Sequence, residues 1–181
     1  MTRSFFSRPW HSLFLLALCA LAAPGLRAAD SLLSVTFGDQ HREVSAADLA
    51  RLPPAEADVV DHGKPHHYRG VAARDVLALV GMPQGEKFRG AALALVVRVR
   101  AADGYTTVFA LAEFDPAFRE QTILLADQMD GAPLPANAGP LRLVCPGDKR
   151  PARSIRQVLS MEVISLATGE RKRVALPKSQ P

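Results

Sequence analysis

The chain has 181 residues, of which 48% are hydrophobic and 22% charged, with 22 Lys and Arg against 18 Asp and Glu and only two cysteines. It is too apolar for a disordered segment and too poor in cysteine for a disulfide scaffold. Its positive balance rests largely on the first residues, so it does not describe a nucleic-acid-binding surface.

At the N-terminus, Arg3 and Arg8 flank an apolar run over residues 13–23, and small residues follow at Ala28-Ala29. This is the pattern of an export signal cleaved near Ala28 or Ala29, and it assigns residues 1–29 to a signal peptide. The run falls short of the roughly 20 residues needed to span a bilayer. Arg3 and Arg8 are not adjacent, so the chain is expected to cross unfolded, and Leu18 before Cys19 speaks against lipid attachment. Cleavage removes Arg3, Arg8 and Arg27 and no acidic residue, leaving 19 basic against 18 acidic side chains. It also leaves Cys145 as the one thiol, so no internal disulfide is possible. About 150 residues remain, enough for a single domain with its own core. The domain is placed at 30–176, followed by a flexible tail over 177–181, and the expected location is the periplasm, with no nucleic-acid partner and no membrane contact after signal removal.

Residues 31–37 read as an opening strand that ends at Gly38-Asp39. Ser45 stands at an N-cap position before a short helix over 46–52, stopped by Pro53-Pro54. A strand is expected over 57–60, leading into a polar loop, Asp61-His62-Gly63-Lys64-Pro65-His66-His67. Ala73, Val76, Leu77 and Val80 fall at helical spacing, with Gly81 at the C-terminal stop. Leu93, Leu95, Val97 and Val99 then alternate along a strand, and Ala101-Ala102-Asp103-Gly104 makes a hairpin turn into a partner strand over 105–111. Further strands are expected over 122–126, 141–145, 161–166 and 171–175, with breaks at Asp130-Gly131-Ala132-Pro133 and Thr168-Gly169. Short helices followed by mainly antiparallel strands make an α+β fold of mixed sheets rather than a doubly wound parallel sheet. No glycine-rich nucleotide loop or Gly-x-Ser-x-Gly elbow occurs.

The richest chemistry lies in Cys145-Pro146-Gly147-Asp148-Lys149-Arg150-Pro151-Ala152-Arg153-Ser154-Ile155-Arg156, where an apolar strand breaks into a basic turn. Lys149, Arg150, Arg153 and Arg156 are candidate donors to a small anion, with Tyr105 beside Asp103 as a candidate aromatic wall. The alternatives are a solvated basic turn and plain packing by Tyr105, Phe109 and Phe114. His62, His66 and His67 suggest a metal, but Gly63 and Pro65 oppose the helix that would align them, and a solvated loop is the competing reading. Cys145 is either a thiol activated by Lys149 and Arg150 or a buried, inert cysteine. Glu113 and Asp115 lie two apart with no nucleophile or base in sequence reach, so no catalytic residue is assigned.

Several phrases, taken in order, resemble a known family. They are Tyr68-Arg69-Gly70-Val71 with Arg74-Asp75-Val76-Leu77, Ala102-Asp103-Gly104-Tyr105 with Val108-Phe109, Leu111-Ala112-Glu113-Phe114-Asp115-Pro116, Asp130-Gly131-Ala132-Pro133-Leu134, and Gly139-Pro140-Leu141-Arg142-Leu143-Val144 with Pro146-Gly147. The set is similar to the oxidoreductase molybdopterin-binding domain of the sulfite-oxidase type, especially its small exported stand-alone members. That resemblance implies the mixed α+β sulfite-oxidase fold, and enzymes that hold molybdenum through a pterin dithiolene and one protein cysteine. The cysteine belongs before the Gly-Val phrase, where this chain has Val59-Val60-Asp61-His62-Gly63; neither Asp61 nor His62 has the donor properties of a thiolate. Ser154 stands where relatives commonly carry tryptophan. The resulting expectation is an exported domain that lacks molybdenum redox chemistry and binds a small anion, a pterin-like ligand or a periplasmic protein. The alternatives are a molybdopterin-dependent oxidoreductase of the sulfite-oxidase type and an interaction subunit of a periplasmic sensor or redox system.

Overall fold

The computed structural model describes residues 31–61 and 63–167. The expected signal peptide, His62, the Thr168-Gly169 break, the strand over 171–175 and the C-terminal tail lie outside these residues.

Two five-stranded sheets face each other. The first has the order β2 (Gln40–Ser45), β1 (Ser31–Phe37), β10 (Val158–Ser165), β5 (Leu95–Ala101), β6 (Thr106–Ala110). Its pairings are antiparallel except β1 with β10, which run parallel with Ser34 opposite Ser160. The second runs β3 (Pro54–Asp61), β4 (Lys64–Ala72), β7 (Leu124–Met129), β8 (Ala132–Pro133), with β9 (Arg142–Val144) also on β7, all antiparallel. The architecture is the mixed, mainly antiparallel α+β arrangement expected from the strand pattern.

The core fills the space between the sheets because the period-2 alternation of each strand turns one apolar row inward. Leu33, Val35, Val97, Val99, Met161 and Val163 of the first sheet meet Val71, Leu125 and Leu143 of the second. Helix α2 (Ala73–Ala78) adds Val76 and Leu77, both fully buried, each contributing about 1.5–3 kcal/mol. It ends at Ala78, short of Val80, and tighter i→i−3 bonds from Val80 and Gly81 carry the turn on to Gly81 at φ 78°. A second apolar cluster of Tyr68, Leu124, Ala126 and Val144 lies on the other face of the second sheet.

Helix α1 (Ala46–Leu49) begins at Ser45 as expected. The Ser45 hydroxyl accepts the Asp48 N–H at 3.2 Å and the Asp48 carboxylate accepts the Ser45 N–H at 3.1 Å, a reciprocal capping box. The Ser45 hydroxyl, which also donates to the Asp48 carboxylate at 2.7 Å, and then the Ser45 N–H, with Arg42 nearby, hold the Asp48 carboxyl at about 2. The helix is shorter than expected, ending at Leu49.

Three local expectations need correction. The polar stretch up to His67 is not a loop: strand β4 starts at Lys64, and His67 and Arg69 stand opposite Asp58 and Glu56 of β3. Complementary charged pairs across a hairpin stabilise a polar strand face that periodicity alone does not reveal. Strand β2 was not anticipated, because four of its six side chains are exposed. Leu93 leaves the apolar row of its neighbours: it sits in the 3₁₀ turn Gly90–Ala94, half exposed.

Candidate functional site

The four basic side chains of the late turn are placed differently from one another. The turn forms the 3₁₀ segment Pro151–Arg153. Arg153 does not face solvent with free donors. Its Nε and Nη2 donate to Asp148 at 2.8 Å each, its Nη1 donates to Glu113 at 2.8 Å, and its guanidinium lies 4.8 Å from the centroid of the buried Phe109 ring. These bonds, with Asp148 first, raise the Arg153 pKa and lower that of Asp148. Arg119 joins the cluster, bonding Glu113 and Asp148 at 3.4 Å each and the Pro146 carbonyl. Two arginines and two carboxylates therefore neutralise one another and fasten the segment that follows Cys145. Lys149 and Arg150 are exposed; Lys149 lines one cavity and Arg156 another.

Tyr105 is half exposed and caps the turn, its hydroxyl donating to the Ala152 carbonyl at 3.0 Å while its N–H donates to Asp103 at 2.8 Å. Phe109 and Phe114 pack edge to face in the core at 5.5 Å. Glu113 is used by the arginines, and Asp115, buried, accepts the Gly85 and Ala117 N–H groups at 3.0 and 2.9 Å. Both carboxylates hold the chain's own segments. Cys145 is buried, with Sγ 3.6 Å from the Arg153 carbonyl, and burial, with the Asp148 charge adding, pushes its thiol up to about 12. His66 and His67 stand on β4: His66 Nδ1 lies 2.7 Å from Asp130, and His67 Nδ1 lies 2.8 Å from Asp58. Among the described residues no group of three or more His, Cys, Asp or Glu side chains has the arrangement of a metal site.

The stretch where the resemblance places a metal-ligating cysteine does meet the basic loop. Asp58, Val59, Val60 and Gly63 of the β3–β4 hairpin line one cleft, of about 540 Å³, with Gly147, Asp148, Lys149 and Pro151. The described side chains of this cleft offer two carboxylates and one ammonium, and no soft donor. The only cysteine among the described residues, Cys145, is enclosed in the core as a neutral thiol. The Arg153 fork of this loop is already filled by Asp148 and Glu113, and the described side chains lining the cleft include no thiolate. The donor set does not fit a molybdenum cofactor.

A different constellation, not anticipated from the sequence, lies on the other face of the second sheet. Arg142 on β9 is 5% exposed; its Nη2 donates to Asp61 at 2.7 Å and its Nη1 to the Tyr68 hydroxyl at 2.7 Å. Tyr68 and Asp61 are buried as well, and burial raises the Tyr68 pKa. Arg142 belongs on this face because it stands opposite Ala126, two positions along from the Leu124–Val144 pair that packs on Tyr68, and alternate residues of a strand share a face. Arg142, Tyr68, Asp61, Lys64, Asn137 and Arg156 line one cavity of about 300 Å³. Among the described residues the buried Arg142 Nε has no hydrogen-bond partner. Three cations face one carboxylate there, an excess of positive charge in a partly dry recess. The signal available in the sequence was a charge inside each of two apolar runs, Val59-Val60-Asp61 and Leu141-Arg142-Leu143-Val144.

The family model of the oxidoreductase molybdopterin binding domain matches residues 64–168. Among solved structures, the crystal structure of the sulfane dehydrogenase SoxCD from Paracoccus pantotrophus aligns with a TM-score of 0.59 at 16% identity, covering 78% of this chain and 40% of that one. At that identity the likeness is one of fold, and the chain spans two fifths of the length of its neighbour. No curated protein matches the chain.

Proposed function

The chain belongs to the oxidoreductase molybdopterin-binding domain family, and from that premise we propose that it is an exported member without molybdenum redox chemistry, serving as a binding module for a small anion. The site of this proposal is the recess on the outer face of the second sheet. The observation that carries it is Arg142, buried, with Nε unpartnered among the described residues, lining the same cavity as Arg156 and Lys64. A buried donor left without an acceptor costs about 1–3 kcal/mol, and an anionic oxygen in the recess removes that cost. Asp61 and the Tyr68 hydroxyl hold the guanidinium in place, so its orientation is set before a ligand arrives. Arg156 and Lys64 supply charge at the exposed rim, and the Asn137 amide supplies a neutral donor. The volume suits an inorganic oxyanion or a short carboxylate. Of the four basic residues singled out in the sequence, Arg156 is the one this site uses.

The test pairs composition with binding. The purified mature chain from molybdenum-replete cells is expected to carry neither molybdenum nor pterin, and stoichiometric amounts of both would overturn the metal-free reading. Isothermal titration with sulfate, phosphate and acetate is expected to find one site, weakened about 10–100-fold by Arg156→Gln, the range of a charge-assisted hydrogen bond. Affinity unchanged in both Arg156→Gln and Lys64→Gln would refute the site.

A further inference from the structure

The inner side of the second sheet carries a separate cavity of about 380 Å³, between helix α1, the start of β3, and strands β4 and β7. Leu49, Val71, Leu125 and Leu141, all buried, line its apolar floor. Its lining also includes two exposed side chains of opposite charge, Arg69 and Asp127.

Asp127 owes its place to a break in the ladder. Strand β4 pairs Arg69 with Gln128 but Gly70 with Ala126, so Asp127 is the extra residue of a β-bulge. Bulges re-aim a side chain that regular pairing would hold in register, and they gather beside binding sites. The local backbone is built around this one: a Cβ on Gly70 would lie 2.1 Å from the Leu125 carbonyl oxygen, and the Asp127 carbonyl accepts the Leu134 N–H at 3.1 Å. Yet among the described residues the Asp127 carboxylate makes no hydrogen bond or ion pair. Arg69 has a single long contact, 3.8 Å to Glu56, with both side chains about half exposed. Such a contact contributes little. The cavity thus joins a greasy floor to two weakly engaged charges of opposite sign.

We propose that this cavity binds a small zwitterion with an apolar tail, of the free α-amino acid type. The ligand carboxylate pairs with Arg69, its ammonium with Asp127, and its side chain rests on the partly exposed Leu32 and Leu52 and on Pro54, above the floor of Leu49 and Val71. A fatty acid or an alkylamine satisfies only one rim charge, whereas an α-amino acid carries both charges on one carbon. The site is distinct from the anion recess, which opens on the opposite face of the same sheet and uses none of these side chains.

Isothermal titration of the intact chain with L-leucine tests the assignment, with 4-methylpentanoate and 3-methylbutylamine as single-charge analogues. Leucine is expected to bind, each analogue at least tenfold more weakly, and Asp127→Asn and Arg69→Gln to weaken leucine at least tenfold. Both residues are exposed, so unchanged unfolding temperatures are expected of the two variants. Methyl resonances of Leu49, Val71 and Leu125 are expected to shift on titration. No heat with leucine, methionine or phenylalanine, or 4-methylpentanoate binding as tightly as leucine, would overturn the proposal. So would full affinity in Asp127→Asn, or shifts confined to the surroundings of Tyr68 and Arg156. Saturating sulfate leaves leucine binding unchanged under this assignment; competition would overturn it and place both ligands in the anion recess.

Discussion

Replacing Arg142 with methionine removes one half of a buried ion pair while keeping the length of the side chain. In the native fold the pair spans 2.7 Å, with side-chain exposures of 6% for Arg142 and 8% for Asp61. The substitution takes the guanidinium from the buried Asp61 carboxylate and a donor from the Tyr68 hydroxyl. Breaking a buried pair from one side costs about 3–5 kcal/mol, a large part of the total stability of a single domain. At about 3 °C per kcal/mol for a domain of this size, the unfolding temperature falls by roughly 10–15 °C. Urea unfolding followed by circular dichroism at neutral pH measures the loss directly. The double variant Asp61→Leu with Arg142→Met removes both charges of the pair and is expected to recover part of it, because an apolar pair replaces a buried carboxylate that has lost its arginine. A single variant within about 1 kcal/mol of the wild type, or a double variant no more stable than the single, would refute the account of this triad.

Cys145 is expected to resist alkylation by iodoacetamide in the folded protein near pH 8 and to react fully in denaturant, since its thiol is pushed up to about 12 by burial; rapid native labelling would contradict that burial. Gly70→Ala forces a methyl group against the backbone of β7, where the Leu125 oxygen would lie 2.1 Å away, and is expected to cost at least about 1–3 kcal/mol in urea unfolding. His67 has its pKa raised, chiefly by the hydrogen bond to Asp58. Its contribution to stability is therefore complete below the unfolded value near 6.5 and is lost as pH rises through the higher folded value. The unfolding-temperature difference between wild type and His67→Gln should be largest near pH 6 and fade on the alkaline side; a difference independent of pH would exclude the pairing as its source.

Much of the fold was legible because its signals are local. The row Leu95, Val97, Val99, the helical spacing of Ala73, Val76 and Leu77, the glycine stop at Gly81 and the Ser45 cap are each set by neighbours within a few positions. What periodicity missed depends on partners distant in sequence or on exposed surface. Lys64 to His67 is a strand because Asp58 and Asp61 face it, and Gln40 to Ser45 is a strand because β1 offers an edge. The basic turn was visible as composition, but its electrostatics were decided by Glu113, forty positions earlier, which with Asp148 occupies Arg153. Arg142 and Asp61 are nearly as far apart in sequence as the two ends of the second sheet, so only their apolar neighbours hinted that each charge is buried.

The parallel pairing of β1 with β10 orders the assembly of the molecule in time. The central strand of the first sheet, β10, is also the last strand of the described chain to be made, so Ser34 waits for Ser160. Until β10 arrives, β1–β2 and β5–β6 are two separate hairpins, neither able to bury its inner row against a complete sheet. The hydrophobic interior therefore closes late, through contacts that join opposite ends of the sequence, and such long-range closure makes for slow folding. A fragment that stops before Val158 loses more than one strand: it loses the splice that turns two hairpins into a sheet.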